Sequence, residues 1–242
     1  MAPAQRVQPS ISVFFPAYND APSLPPLIDK TFGVLAAVAA DFEVIVVNDG
    51  SADATADILE QLRSKHGERF RIVTHRKNRG YGAALRSGFA SARKDLVFYT
   101  DGDGQYDVAD LPRLLAVMAP DVGLVNGCKT ARHDPLHRIW LGRIYNQFAR
   151  VVFGIRLRDI DCDFRLIRRS LLDRIRLAAT SGTVCVELVK KIELTGCRVV
   201  EVPVSHYPRQ HGRSQFFRVR SLFTTFRQLL LLWVRLVLLR RL

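Results

Sequence analysis

The segment Thr100-Asp101-Gly102-Asp103-Gly104-Gln105-Tyr106-Asp107 follows directly on the apolar run Leu96-Val97-Phe98-Tyr99. That order sets a cluster of oxygen ligands at the C-terminal end of a strand, the edge at which open α/β sheets bind their ligands. Asp101 and Asp103, two residues apart, can both reach one hard cation through carboxylates, and Gln105 can add a neutral oxygen. Gly102 and Gly104 let the backbone turn tightly and approach whatever lies above. A cation held there would most usefully bridge a diphosphate, drawing charge from a phosphate leaving group. In isolation a D-x-D is more often a solvated Asp-Gly turn; its context in this chain points the other way.

Alternating patterns must position the cluster. Strand patterns at 11–15, 43–47, 71–74, 96–100 and 122–126 alternate with helical patterns at 24–38, 53–63, 82–92 and 112–118. The 43–47 run reads as a parallel strand buried on both faces. The order predicts an α/β fold built on a doubly wound, mostly parallel sheet. Beyond Lys129 the pattern predicts a helix over 141–153, a loop over 154–163, a helix over 184–194 and a strand over 198–202 stopped by Pro203. A long helical pattern then covers 216–242. The organisation expected is a domain over 1–215, in halves 10–128 and 129–215, followed by the helical tail.

Charge is divided unevenly between the halves. Of 242 residues with a net charge of +13, residues 1–128 hold 13 Lys and Arg against 15 Asp and Glu, whereas residues 129–242 hold 23 against 8. A basic, Arg-dominated second half implies an anionic partner: nucleic acid, anionic lipid or a phosphorylated acceptor. Nucleic acid is disfavoured by the acidic cluster at the expected cleft and by the lack of an aromatic-plus-basic stacking motif. Cys128, Cys162, Cys185 and Cys197 form no C-x-x-C pair, so neither a zinc site nor a disulfide framework is expected, which fits a reducing cytoplasm. The first six residues contain no apolar stretch of the kind a signal peptide needs.

In the tail, Arg227 and Arg235 bracket the run 229–234, which falls short of the ~20 residues of a spanning helix. Helical spacing sets Arg220, Arg227, Arg235 and Arg241 on one broad face and Phe226, Leu229, Trp233, Leu236 and Val237 opposite. Such a helix lies in a membrane interface or packs on protein, either its own domain or a second copy in a homo-oligomer.

Several motifs now matter together. Phe15-Pro16-Ala17-Tyr18-Asn19-Asp20 follows the first strand, Val47-Asn48-Asp49-Gly50-Ser51-Ala52-Asp53 the second, and the Asp101 cluster the fourth. Downstream come Asp159-Ile160-Asp161-Cys162-Asp163-Phe164-Arg165 with Arg168-Arg169, then Glu201-Val202-Pro203-Val204 leading to Arg209-Gln210-His211-Gly212-Arg213-Ser214. Over about 11–214 the chain resembles inverting family 2 glycosyltransferases of the GT-A fold, and among them the polyprenyl-phosphate enzymes (dolichyl-phosphate mannose synthases and undecaprenyl-phosphate glycosyltransferases). Departures are Asp20, where Glu is usual, and Gln215, where Lys commonly follows the G-x-S. A C-terminal pair of spanning helices is not predicted.

The resemblance implies a nucleotide-sugar donor, UDP- or GDP-linked, bound by Pro16, Ala17, Tyr18, Asn19, Asp20, Asp49, Gly80, Asp101 and Gly102. It implies Mg²⁺ or Mn²⁺ on Asp101, Asp103 and Gln105. Lys129, Arg138, Arg165, Arg209, His211 and Ser214 would face the diphosphate or the acceptor, a polyprenyl phosphate at an anionic membrane surface, with the enzyme peripheral on the cytoplasmic face. Asp159 and Asp163 both fit the catalytic acceptor motif, and the sequence does not choose between them. With a lipid phosphate as acceptor no strong general base is needed, because a phosphomonoester with a second pKa of ~6 is already anionic near neutrality. With a sugar hydroxyl in surface-polysaccharide assembly, the alternative, an Asp base becomes necessary. The residues also allow plainer readings: Asp159, Asp161 and Asp163 paired with Arg156, Arg158 and Arg165, a solvated Glu187, and His206 and His211 as loop contacts. The turn at Asn78-Arg79-Gly80-Tyr81-Gly82 is a weak candidate for a nucleotide contact.

Overall fold

The computed structural model describes residues 8–130, 136–209 and 219–239, excepting the side chains of 136–139, 141 and 219–224. The strands are β1 (Ser10–Ala17), β2 (Asp41–Asn48), β3 (Phe70–Thr74), β4 (Leu96–Thr100), β5 (Val122–Lys129), β6 (Phe164–Arg168) and β7 (Arg198–Val204). They form one sheet in the order β3-β2-β1-β4-β6-β5-β7. The helices are α1 (Leu24–Val38), α2 (Thr55–His66), α3 (Tyr81–Ser91), α4 (Leu111–Val117), α5 (Leu136–Phe153), α6 (Arg169–Leu172), α7 (Thr183–Leu194) and α8 (Val219–Trp233), the last continued by a π-helical turn, Val234–Leu238.

The expected α/β order holds through β5. Strands β1 and β2 each bury seven of eight residues, as a parallel sheet covered on both faces requires. One core layer packs α1, α2 and α4 against the sheet, with Leu24, Ile28 and Leu35 of α1 in the same cluster as Phe42 and Phe98. The other packs α3, α5, α7 and α8 around Phe14, Tyr99, Phe153 and Val186.

β6 departs from expectation. The sequence reading has a loop over 154–163 and no element at 164–168, yet Phe164–Arg168 forms a strand antiparallel to both β4 and β5. The register Thr100↔Phe164 brings the start of β6 to the end of β4. Asp163 and Asp101, far apart in the chain, therefore emerge at the same sheet edge. β7 also outruns its expected stop: Pro203 lies within it, paired with Cys128. β7 is an edge strand, and an edge accommodates a residue that cannot donate on its outer side.

The tail packs on the domain along one face. Leu229, Leu232 and Leu236 are buried in the α5–α7 layer, the Trp233 indole N–H donates to the Val152 carbonyl at 3.1 Å, and the Gln228 carbonyl oxygen accepts the Thr180 and Ser181 N–H groups. The face expected to be uniformly apolar is thus divided: Leu229 and Leu236 are inside while Phe226 is 63% exposed. No described helix is long and apolar enough to cross a membrane.

Candidate active site

Loops at the C-terminal ends of β1, β2, β4, β5 and β7, with the entry to β6, meet along one edge. Behind Asp101, the Gly102 N–H donates to the Pro16 carbonyl at 3.2 Å. A Cβ at Gly102 would lie 2.9 Å from that oxygen, so glycine is what lets the acidic turn close on the end of β1.

The Tyr81 hydroxyl donates to Asp101 Oδ1 at 2.7 Å. Asp103 Oδ1 accepts the Gln105 N–H at 3.0 Å, and Asp103 Oδ2 pairs with the Arg209 guanidinium. Gln105 commits its amide Nε2 to the Tyr207 carbonyl at 3.1 Å, which leaves its own carbonyl oxygen as the ligand it can offer. Burial raises the Asp101 acid far above the ordinary carboxylate range, and the nearby charges of Asp163 and Asp103 push it further. Burial likewise raises Asp103, against the opposing charge of Arg209. Crowded, buried carboxylates with oxygen donors only are a set whose ionisation a divalent cation would favour, so the residues fit Mg²⁺ or Mn²⁺. No three His, Cys, Asp or Glu side chains among the described residues converge to enclose a metal by themselves.

Arg209 occupies the carboxylate that such a cation needs. Arg209→Met is expected to tighten Mn²⁺ binding by the donor-free protein roughly fivefold, since a partly exposed ion pair is worth about 1 kcal/mol. The same variant is expected to weaken nucleoside diphosphate binding. Electron paramagnetic resonance titration of free Mn²⁺, with and without nucleotide, reads both.

Asp163 and Asp159 separate. Asp163 Oδ1 lies 3.2 Å from the Tyr99 hydroxyl, 3.1 Å from Cys185 Sγ and 3.2 Å from Arg165 Nη1, within the electrostatic reach of Asp101. Asp159 turns toward α5 instead, its carboxylate accepting from the Lys129 N–H at 3.3 Å and Asn146 Nδ2 at 3.4 Å. Of the Asp–Arg pairs anticipated, the described residues form Asp163–Arg165.

Arg165, expected beside the diphosphate or the acceptor, is turned into the interior. It is fully buried and donates to Asn126 Oδ1 at 2.7 Å, to the Tyr99 hydroxyl and to the Ile160 carbonyl. It is the clamp that fixes Asp163. Asp49 is likewise engaged: 3% exposed, it accepts from the Arg79 and Gly80 N–H groups at 2.9 Å each and pairs with His75, whose other ring nitrogen meets Ser87 at 2.8 Å. Asp49 thus shapes the 78–80 turn. Gly80 has φ +91°, and a Cβ there would lie 2.6 Å from the Thr180 carbonyl. Glu187, expected in solvent, is buried; it accepts from the Ala178 and Ala179 N–H groups and pairs with Lys191 at 3.0 Å. His206 stacks edge-on against Tyr106, with centroids 5.1 Å apart. The Arg138 side chain, His211 and Ser214 lie outside the described residues.

At the other rim, Asn19 holds φ 58° and its Oδ1 accepts the Ala52 N–H at 2.8 Å, tying the β1 and β2 loops together beside Pro16, Ala17 and Tyr18. Burial pushes the Asp20 carboxyl up to about 6, against the Tyr18 N–H at 2.9 Å, with the Asp103 charge adding to the rise. The folded protein holds this proton more tightly than the unfolded chain, so the associated stability is full below about 3.8 and is lost as pH rises through about 6. Asp20→Asn, neutral at every pH, is expected to match the parent near pH 3.5 and to exceed it by about 2–3 kcal/mol at pH 8 in urea denaturation.

Over 212 residues the chain is 30% identical to undecaprenyl-phosphate 4-deoxy-4-formamido-L-arabinose transferase of Pseudomonas aeruginosa (strain LESB58), covering 88% of this chain and 62% of that protein. The protein of the same name from Pseudomonas fluorescens (strain SBW25) is 29% identical over 216 residues, covering 89% and 62%. The chain spans about 62% of the length of these curated relatives. Glucosyl-3-phosphoglycerate synthase from Mycobacterium tuberculosis, crystallised with Mn²⁺, uridine diphosphate and phosphoglyceric acid, matches with a TM-score of 0.70 at 19% identity, over 94% of this chain and 78% of that one. Mannosyl-3-phosphoglycerate synthase from Rubrobacter xylanophilus gives 0.71 at 19%, over 97% and 76%. The fold they share with this chain is GT-A. Residues 12–176 match the family described as glycosyl transferase family 2, and the chain belongs to that family.

Proposed function

We propose that this chain is a divalent-cation-dependent, inverting glycosyltransferase that moves a hexose from a UDP- or GDP-sugar to a polyprenyl phosphate at the cytoplasmic face of a membrane. The observation that carries this reading is the contact between Asp103 and Arg209 beside Asp101: carboxylates and a guanidinium together at the sheet edge, the complementary parts that a cation-bound diphosphate would engage from both sides. The curated relatives named above take undecaprenyl phosphate by their names, and that supports the acceptor class.

Asp101 and Asp103, with the Gln105 carbonyl, would hold Mg²⁺ or Mn²⁺. Bound there, the cation supplies positive charge to the diphosphate as it departs. Arg209 adds charge-assisted hydrogen bonds to the same group. The β1 and β2 loops, through Pro16, Ala17, Tyr18, Asn19 and Asp20, form the nucleotide wall, and Asp49 acts on that wall through the 78–80 turn. The acceptor phosphate brings its own anionic oxygen, so no proton need be removed. Asp163, fixed by Arg165 and Tyr99, orients the groups around that oxygen.

A membrane setting is supported by two exposed apolar sets. On α5, Trp140, Ile144, Phe148 and Val151 are 45–72% exposed; on the α8 segment, Phe226, Leu230, Leu231, Leu238 and Leu239 are 52–63% exposed. The Trp233–Val152 hydrogen bond joins the two helices. With arginines alongside, each worth roughly 1 kcal/mol near an anionic leaflet, these helices suit an interfacial position.

The test is release of UDP or GDP from a panel of nucleotide sugars, with and without undecaprenyl phosphate, in Mg²⁺, Mn²⁺ or EDTA. Release that requires both cation and lipid supports the proposal. Equal release without the lipid removes polyprenyl phosphate as acceptor.

A further inference from the structure

Tyr81 bonds one oxygen of Asp101 and leaves the other open: its hydroxyl donates to Oδ1 at 2.7 Å, and among the described residues Oδ2 has no hydrogen-bond partner. A carboxylate pinned at one oxygen presents the other in a fixed direction to a cation. Tyr81 is the first residue of α3, so its aim is set by the backbone on either side of it. On one side Asp49 holds the Arg79 and Gly80 N–H groups. On the other the Thr180 carbonyl accepts the Gly82 N–H at 3.0 Å, one of the groups that a helix start leaves unpaired. The approach is close: a Cβ at Gly82 would overlap the Ala179 carbonyl oxygen.

The segment 178–181 is held in turn from three helices. Arg86 of α3 donates to the Ala178 and Ala179 carbonyls, Glu187 of α7 accepts the Ala178 and Ala179 N–H groups, and Gln228 of α8 holds the far end. The Gln228 carbonyl oxygen accepts the Thr180 and Ser181 N–H groups at 3.1 Å each and the Ser181 hydroxyl at 2.9 Å, while its Nε2 donates to the Thr180 hydroxyl at 2.8 Å. Both polar atoms of that amide are spent on this segment. Thr180 gives its N–H to Gln228 and its carbonyl to Gly82, so one residue carries the contact from α8 to the start of α3. Phe226 and Leu230, close to Gln228 on α8, belong to the exposed apolar set.

We propose that Tyr81 and Gln228 are positioning residues for cation and diphosphate binding: Gln228 seats the 178–181 segment, that segment seats the first turn of α3, and Tyr81 aims Asp101. The helix α8 is then part of the donor site, and nucleotide binding and the seating of α8 strengthen each other. The assignment rests on the cation–diphosphate reading of the Asp101 edge given above.

The experiment is electron paramagnetic resonance titration of free Mn²⁺ with the full chain and UDP or GDP, less the uptake by nucleotide alone. The proteins compared are the parent, Tyr81→Phe, Gln228→Leu, Gln228→Glu and the Tyr81→Phe/Gln228→Leu double variant. Tyr81→Phe is expected to weaken Mn²⁺ binding about tenfold, the order of one hydrogen bond to a charged group. Gln228→Leu is expected to weaken it about fivefold, within the range for a residue that acts through others. Gln228→Glu should stay within about twofold of the parent, because a carboxylate accepts the same N–H groups and the Thr180 hydroxyl can turn to donate. The double variant should match Tyr81→Phe within about twofold, since Gln228 then has no hydroxyl left to aim. Losses that multiply instead make the two roles separate and overturn the proposal. So does an affinity equal to the parent's, or tighter, in either single variant. Should Gln228→Leu fail to fold, hydrogen exchange in the parent decides: Mn²⁺ with nucleotide must slow exchange of the Thr180 and Ser181 amides, and unchanged rates overturn the link. A parent that takes up no Mn²⁺ with either nucleotide overturns the donor reading itself; a parent that does, with variants that match it, overturns this assignment alone.

Discussion

Asp103→Asn is expected to reduce cation-dependent sugar transfer by about 10²–10³-fold, the range seen when one preorganised electrostatic group is removed from a reaction centre. The substitution is nearly isosteric. Its amide oxygen can still accept the Gln105 N–H that shapes the turn, which Asp103 Oδ1 accepts at 3.0 Å. What it removes is the negative charge that would bind a cation and that now pairs with Arg209. Burial already raises the Asp103 acid, so the neutral side chain should not cost the fold much. The combination to look for is an unchanged urea midpoint, weakened Mn²⁺ binding and lost turnover. Activity within tenfold of the parent would contradict the cation role of this residue.

Arg165→Met is expected to lower stability by about 3–5 kcal/mol, because removing one member of a buried ion pair leaves the other charge stranded. Arg165 is completely buried and holds Asn126, Tyr99, the Ile160 carbonyl and Asp163 at once. Methionine fills a similar volume yet satisfies none of these groups. Arg165→Lys keeps the charge but cannot spread it over a planar fork, so an intermediate loss is expected. Urea denaturation of both variants measures this; a loss under 1 kcal/mol for the methionine variant would show that the clamp is not needed to keep Asp163 in place. In a domain with ordinary stability of about 5–15 kcal/mol, the methionine variant should also give visibly less folded protein.

The first half of the fold, which carries the D-x-D turn, was largely legible in the sequence. The strand expected at 96–100 is Leu96–Thr100, the helix expected at 24–38 is Leu24–Val38, and the D-x-D turn leaves the sheet where the strand order required. The part beyond β5 was less so, for physical reasons. In β6 two arginines interrupt the apolar pattern, and the burial of Arg165 depends on partners brought from β4 and β5, which no local period encodes. The short apolar run Phe164, Leu166, Ile167 was the available signal. Asp49 carries a family motif, but its occupation by the 78–80 turn follows from a contact 30 positions away. Glu187 sits on a helix buried nearly all round, because α7 packs against α8 and α3 and shares a core cluster with the sheet; periodicity alone would put a charged residue outside. The separation of Asp163, beside Asp101, from Asp159, turned toward α5, likewise needed the antiparallel register of β6.

In the proposed reaction the sugar passes to a phosphate oxygen of a polyprenyl lipid. The most direct measurement supplies the sugar-labelled donor that supports turnover, with Mg²⁺ or Mn²⁺, to undecaprenyl phosphate and to undecaprenol in parallel, and follows label into the organic phase. Label is expected only with the phosphorylated lipid, in a product whose ³¹P resonance reports a glycosyl phosphate diester, and no label in EDTA. Label on a sugar hydroxyl acceptor, with none on the lipid phosphate, would contradict it.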